Sequence, residues 1–261
     1  MKTAATLRHT IEWKDLRTLN QWQVVQELLL PVPWLVGSLA AAAHEWYALA
    51  LPCSFMFFLT GLRQVHGAFH YSIGVTRRGA ELVMGALSAL MLGSMHAVQI
   101  NHLRHHLHCM EDDDVEAMSA RMPIWKALVT GPLFPVRLHV TALRFATARQ
   151  RRWILVEIFG CAAMVAAVLV SDVGFFRYHI LAMAVGQCLT SFFAVWTVHH
   201  DCEADGIFAR TIRGGLKGWL TYDMFYHLEH HLFPAVPTSR LPELARRLDE
   251  ADPEWSVKRV F

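Results

Sequence analysis

The chain has 261 residues, and 18% of them are charged, against about 25% in ordinary soluble domains. Its 24 Lys and Arg residues nearly balance its 22 Asp and Glu residues, and the net charge of +2 argues against nucleic acid as a partner. The five cysteines form no CxxC pair, which argues against a disulfide scaffold and against a thiolate zinc site. Because 54% of the residues are hydrophobic, the composition predicts a membrane protein, and its 16 histidines are the most informative feature.

Four apolar segments, arranged as two hairpins, predict four transmembrane helices. About 20 apolar residues are needed to cross roughly 30 Å of hydrocarbon, and each segment has about that length. The segments cover residues 24–43, 46–65, 153–170 and 178–198. Pro31 and Pro33 are expected either to kink the first span or to mark its entry. The sequence therefore predicts an all-α integral membrane protein with four transmembrane helices, interfacial helices and a cytoplasmic histidine-rich cap.

The whole chain, residues 1–261, is predicted to form one domain. Residues 1–23 make an N-terminal interfacial or cytoplasmic segment, residues 24–240 hold the spans and the metal site, and residues 241–261 form a cytoplasmic tail. Leu and Trp residues are spaced along the polar stretch 7–22, which suits a short interfacial helix as well as a disordered tail.

A fifth apolar stretch, residues 80–99, decides the topology. If it crossed the membrane, the histidines before and after it would lie on opposite faces and could not share one site. We therefore expect it to lie along the interface or to dip into the membrane and return. Among the Lys and Arg residues, only Arg177 falls in a predicted far-side loop. The positive-inside rule then places both termini and the histidines in the cytoplasm, beneath a bacterial inner membrane.

Four groups of histidines lie at or just beyond the cytoplasmic ends of the apolar segments. They are an HxxxH at His66 and His70, an HxxHH at His102, His105 and His106, the pair His199 and His200, and a second HxxHH at His227, His230 and His231. At about 100° per residue, positions i, i+3 and i+4 share one helix face, so each HxxHH is predicted to aim three rings at one point. The two adjacent rings of the pair diverge by about 100°, so both can ligate one ion only if the helix ends there.

The number of imidazoles decides between metals. Imidazole suits zinc, copper, iron and nickel, but a catalytic zinc takes three protein ligands and a water. Eight or nine converging imidazoles are too many for one ion, and two ions with about four nitrogens each account for them. The sequence therefore favours a di-iron centre over a membrane zinc hydrolase. A metal transporter is disfavoured because its ligands would lie at mid-bilayer, on discontinuous helices.

Polar residues near the histidines are candidates to orient the rings. Ligating histidines usually donate their second N–H to a carboxylate or carbonyl. The candidates are Asp201, Asp223, Glu229 and Asn101, whereas the acidic run 111–116 is interpreted as a solvated loop. Glu157 lies inside a predicted span, where a carboxylate is costly in lipid, so it has either a functional role or a hydrogen bond within the bundle.

Three sequence motifs, HGAFH, NHLRHH and YHLEHHLFPAVP, resemble the histidine boxes of the membrane fatty acid desaturase superfamily, which includes desaturases, hydroxylases and carotenoid ketolases. The likeness covers roughly residues 30–245. It implies a mushroom-shaped helical protein with a cytoplasmic centre of two iron ions and O2 as co-substrate. The implied iron ligands are the eight histidines of the three boxes and one of His199 and His200, of which His199 fits better by position.

The resemblance also implies an O2-dependent oxidoreductase. We expect desaturation of an acyl or lipid-like chain in an apolar tunnel among the spans, with hydroxylation or ketolation of a smaller or non-acyl substrate as the alternative. Because no fused b-type cytochrome is recognisable, we expect electrons from a separate ferredoxin, rubredoxin or cytochrome. Arg210, Arg213 and Lys217 either dock such an acidic donor or are ordinary solvated residues.

Overall fold

In this computed structural model, which describes residues 11–203 and 208–252, the described residues form helices and loops and contain no β-strand. The predicted segments at residues 1–10 and 253–261 lie outside the described residues. The helices are α1 Gln21–Leu29, α2 Val32–Ala43, α3 Tyr47–Phe69, α4 Arg77–Met91, α5 Met95–His108, α6 Ile124–Thr130, α7 Leu133–Phe145, α8 Ala148–Ser171, α9 Gly174–Thr190, α10 Gly215–Leu220, α11 His227–Leu232 and α12 Leu241–Ala251. After α9 the chain continues through a π-helical turn, Ser191–Trp196, and a final helical turn, Thr197–His199.

Four helical segments are long and apolar enough to cross a membrane, which confirms the predicted architecture. They are Gln21–Ala43, Tyr47–Phe69, Ala148–Ser171 and Gly174–His199. The first span is interrupted between α1 and α2, at the predicted proline position, because Pro31 and Pro33 lack backbone N–H groups. The chain is therefore an all-α membrane protein.

The fifth apolar stretch forms α4 and α5, which meet at a 113° bend. Helix α4 starts seven residues after His70, and α5 brings His102 back to it, with 3.0 Å between the two Nε2 atoms. This geometry fits the predicted path that dips in and returns, and it places the first two histidine boxes on the same side.

Glu157 of α8 holds the bend between α4 and α5. Its carboxylate accepts hydrogen bonds from Ser94 Oγ at 2.6 Å and from the backbone N–H of His96 at 3.2 Å, and it lies 2.6 Å from His96 Nδ1. The Ser94 N–H donates to His139 Nε2 at 2.9 Å. Unsatisfied backbone groups cost several kcal/mol in lipid, so these hydrogen-bond partners stabilise the break between helices α4 and α5. Of the two interpretations of Glu157, the structure supports the hydrogen bond within the bundle.

A buried ion pair fixes the helix of the first histidine box against the first span. Arg63 of α3 donates from both terminal nitrogens to the Glu27 carboxylate of α1, at 2.5 and 2.9 Å, and both residues are 6% exposed. Arg63 Nε also donates to the Tyr222 carbonyl at 2.7 Å, five residues before the last histidine box. The pair therefore links both ends of the site to the spans.

Removing one partner of this pair is expected to destabilise the protein. Glu27→Ala leaves the Arg63 charge buried without its carboxylate, which costs about 3–5 kcal/mol. Thermal unfolding in detergent measures the loss. The control, Glu250→Ala, removes a carboxylate from an exposed pair with Arg246 and is expected to change stability by less than about 1 kcal/mol. Equal losses in the two variants would contradict this role for Glu27.

The N-terminal segment differs from the predicted interfacial helix over residues 7–22. Within its described part, only a short 3-10 turn, Lys14–Arg17, precedes α1. Leu16 is buried against the apolar face of α12, and the Trp13 ring contacts Phe233 with 5.3 Å between centroids. The segment packs on protein here because α12 and the residues after the last box present an apolar surface to it.

Candidate metal centre

The three histidine boxes and the end of the last span meet in two adjacent clusters of imidazoles. In the first cluster the ligand atoms of five histidines lie within 4.8 Å of one another, and its members are His66, His70, His102, His106 and His230. The second cluster joins four histidines through short Nε2 contacts, and its members are His105, His199, His227 and His231. The structure thus brings together nine of the ten histidines of the four groups.

Each HxxHH box is divided between the two clusters, which differs from the predicted convergence of its three rings on one point. His102 and His106 belong to the first cluster and His105 to the second. The last box is divided the opposite way, with His230 in the first cluster and its two neighbours in the box in the second. On a helix, positions i and i+4 lie about 40° apart while i+3 lies about 60° to the other side, so one box can serve two adjacent sites.

Three of the rings are oriented by acceptors on their Nδ1 atoms. His102 Nδ1 lies 2.8 Å from Glu116 Oε1, and His105 Nδ1 lies 2.7 Å from Asp114 Oδ2. His199 Nδ1 lies 2.7 Å from the carbonyl oxygen of Phe208. Each Nδ1–H donates to its oxygen, so Nε2 is the ring nitrogen that faces the clusters and is placed to bind a metal.

The Nε2 atoms approach one another in a way that calls for cations between them. His105 Nε2 and His199 Nε2 are 3.1 Å apart, although both rings donate the N–H at Nδ1 to an oxygen on the other side. In the first cluster His106 Nε2 lies 3.0 Å from His230 Nε2, and His66 Nε2 is buried with no hydrogen-bond partner among the described residues. Lone pairs facing each other at such distances repel unless a metal ion lies between them. The donor set therefore fits metal ions, one in each cluster.

Burial keeps most of the imidazoles neutral, which is the form that binds metal; His105 is the exception, because its hydrogen bond to Asp114 raises its pKa. It lowers the pKa of His70 to about 4 and holds the pKa of His227, His230 and His231 well below the usual value. The surrounding histidines lower the last three pKa values further. These rings are neutral at pH 7, as metal ligation requires.

The candidates chosen from sequence to orient the rings lie elsewhere. Asn101 donates to the carbonyls of Ala97 and Leu138, and Glu229 accepts from Thr211 and Arg213. The two remaining candidates are Asp201, which lies 3.2 Å from His200 Nε2, and Asp223, which lies beside Arg63. His200 itself stands outside both clusters, with its ring against Trp196 at 4.2 Å between centroids.

Two residues of the acidic run 111–116 take the orienting role, so the interpretation of this run as a solvated loop is wrong for them. Asp114 is 5% exposed and also accepts from the backbone N–H groups of Met110 and Ala117. Burial alone would raise the pKa of Asp114, but these hydrogen bonds and the one from His105 hold it below its usual value. The signal that sequence reasoning missed was the spacing: an Asp and a Glu nine and fourteen residues after their histidines.

Replacing Asp114 is expected to weaken metal binding without removing a ligand. Asp114→Asn takes the charge from the acceptor of His105 Nδ1–H, and loss of such a partner typically costs about 10–100-fold in metal affinity. Competition with a chelator measures it. Asp112→Asn is the matched control, because Asp112 is fully exposed and pairs with Arg121 at 3.5 Å, away from the histidines of the two clusters. Equal metal affinity in the two variants would contradict the role of Asp114.

An apolar cavity lies against the first cluster. His66, His102 and His227 form part of its wall, and most of the remaining wall is apolar. Apolar lining residues include Leu62, Val65, Phe69, Val98, Leu138 and Val195. Gln187 and Thr190 of α9 add polar groups. A largely apolar molecule can thus reach the histidines with few polar contacts to hold it in position.

The fold and the site together define a membrane protein of the histidine-box type. The chain belongs to the fatty acid desaturase family, whose model matches residues 40–260.

Two of the similar proteins are β-carotene ketolases from Paracoccus strains. One is 29% identical over 226 residues, which cover 82% of this chain and 85% of the ketolase. The other is 26% identical over 234 residues, which cover 85% and 86% of the two chains. A third relative is the sphingolipid delta(4)-desaturase DES1 of Drosophila melanogaster. It is 59% identical over 32 residues, which are 12% of this chain and 10% of that enzyme.

Proposed function

We propose that this protein is a di-iron enzyme that uses O2 to oxidise an unactivated C–H bond of an apolar lipid. The observation that carries the proposal is the pair of imidazole clusters, five rings in one and four in the other, beside an apolar cavity. Nine imidazoles exceed the three protein ligands of a catalytic zinc. A zinc hydrolase is therefore the poorer fit.

In this proposal the residues of the site have two roles: the histidines and their acidic partners hold the metal ions, and the residues of the cavity wall position the substrate. Iron bound in the two clusters supplies the oxygen and electron chemistry that side chains lack. Asp114 and Glu116 fix the protons at Nδ1 of their histidines, so that the Nε2 lone pairs stay on the metal side. The cavity wall excludes water and places a carbon of the substrate beside His66 and His102.

Oxygen insertion, giving a hydroxyl or keto product, is the first candidate reaction. It is favoured by the two β-carotene ketolases, whose similarity extends over more than four-fifths of this chain. Desaturation of an acyl or lipid-like chain is the second candidate, favoured by the short match to the sphingolipid desaturase. Both reactions use the same site and differ in the placement of the substrate carbon.

Mass spectrometry of lipid extracts distinguishes the two reactions. Host cells that make both acyl lipids and β-carotene would express the protein or its His230→Ala variant. A lipid that gains one oxygen atom only with the unmodified protein indicates hydroxylation, and a further loss of two hydrogens indicates ketolation. Loss of two hydrogens alone indicates desaturation. Identical extracts would contradict the proposal for the lipids present.

In this proposal the protein lies in a bacterial inner membrane, with its metal centre and both termini on the cytoplasmic side. It takes electrons from a separate ferredoxin, rubredoxin or cytochrome. The basic residues support this orientation, because among the Lys and Arg residues of 11–203 and 208–252 only Arg177 lies near the far-side turn, where it pairs with Asp172 at 2.5 Å. Arg213 is held internally by Glu229 and Asp249, at 2.6 and 2.5 Å. Arg210 Nε donates to the His200 carbonyl at 2.6 Å. We therefore do not assign donor docking to these two arginines.

A further inference from the structure

Cys109 lies beside the second cluster, one helical turn after His105. Sequence reasoning assigned it no role, because its thiol belongs to no CxxC pair. Its Sγ atom is 3.9 Å from His105 Nε2. The sulfur and the ligand atoms of His105, His199 and His231 all lie within 4.8 Å of one another. The position i+4 explains the proximity, because residues at i and i+4 lie on the same face of a helix.

The thiol has weak contacts with the protein around it. Apart from the imidazole, its neighbour is the Phe208 carbonyl, 4.0 Å from Sγ, and that oxygen already accepts the Nδ1–H of His199. Both distances are at the outer limit for a sulfur hydrogen bond. The 3.9 Å between Sγ and His105 Nε2 suits a shared ion better, because sulfur and nitrogen donors bound to one metal at zinc-like lengths of about 2.3 and 2.1 Å lie at most about 4.4 Å apart.

An independent feature of the same cluster points to a cation there. His105 Nε2 and His199 Nε2 face each other at 3.1 Å, while both rings donate their N–H groups to oxygens on the other side. The first cluster has five imidazoles and the second has four. A sulfur donor would raise the second cluster to five.

We propose that Cys109 is a ligand of the metal ion in the second cluster, binding through Sγ. The inference rests on the metal centre proposed above. On binding, the S–H bond breaks, its proton leaves to solvent, and the thiolate sulfur forms the bond to the metal. No oxidation or reduction is involved.

Cobalt(II) reports a sulfur ligand directly, independent of turnover. Metal-free protein loaded with cobalt(II) is expected to show a thiolate-to-cobalt charge-transfer band in the near-ultraviolet as well as visible bands from the imidazole-bound ions. Cys109→Ser should lose the charge-transfer band and keep visible bands. The matched control, Cys161→Ser, should keep both, because Cys161 Sγ lies 3.1 Å from the Ser88 carbonyl, in a span.

Alkylation of the unmodified protein gives a second measurement that does not depend on a folded variant. Cobalt should slow the labelling of Cys109, read by peptide mass mapping, and leave Cys161 unchanged. Cobalt uptake without the charge-transfer band, a band that persists in Cys109→Ser, or unprotected labelling of Cys109 would overturn the role of Cys109 and leave the histidine centre intact. Failure to bind cobalt at all would overturn both.

Discussion

His230→Ala is expected to abolish turnover and to remove iron from the first cluster. His230 is 4% exposed, and its Nε2 lies 3.0 Å from His106 Nε2. Its ring is also 4.1 Å from that of His66 and 4.7 Å from that of His70 between centroids. Truncation removes one of five converging donors and leaves a cavity. The loss of metal affinity should exceed the roughly 10–100-fold typical for removing an outer partner of a ligand.

Elemental analysis of the purified variant and oxygen consumption measure the two effects of His230→Ala. His44→Ala is the control, because His44 is exposed between α2 and α3 and stacks on Trp46. It should keep its iron and its activity. Full iron content together with full activity in His230→Ala would refute the assignment of His230 as a ligand.

Truncation to alanine is expected to remove iron and activity at His199 but not at the adjacent His200. His199 is 1% exposed, with its Nε2 2.8 Å from His227 Nε2 and 3.1 Å from His105 Nε2. His200 instead points to Asp201. His199→Ala should therefore lose iron from the second cluster and its activity, whereas His200→Ala should retain both.

This pair of variants is its own control, because the substitutions are identical and one residue apart. Iron content and oxygen consumption are measured for both in the same preparation. Equal losses of iron and activity in the two variants, or a greater loss in His200→Ala, would contradict the assignment of His199 as the metal ligand of the pair.

The path of the chain through the membrane could be predicted from the sequence, because it depends on the length and composition of the apolar segments. The four spans follow from runs of about 20 apolar residues. The bend between α4 and α5 follows from a requirement that histidines on both sides of it share one face. What holds the bend, however, is the carboxylate of Glu157 on a different helix, more than 60 residues away, and a single sequence does not show which distant groups meet.

The sequence predicted which histidines form the metal centre, but not how they divide between two clusters. Helical periodicity places His102, His105 and His106 on one face, but their division between two clusters depends on where the other helices stand. The resemblance to the family favoured His199 over His200 by position, but helical periodicity alone does not choose between them, because the π-helical turn Ser191–Trp196 before them has no periodic signature in sequence. The orienting roles of Asp114 and Glu116 depend on a loop that folds back onto α5.

Iron content and Mössbauer spectroscopy of the protein enriched in ⁵⁷Fe together test the central claim most directly. We predict two iron ions per chain, in nitrogen-rich sites, and loss of iron when the imidazoles of either cluster are removed. One tightly bound zinc per chain, with no stable uptake of iron, would contradict it.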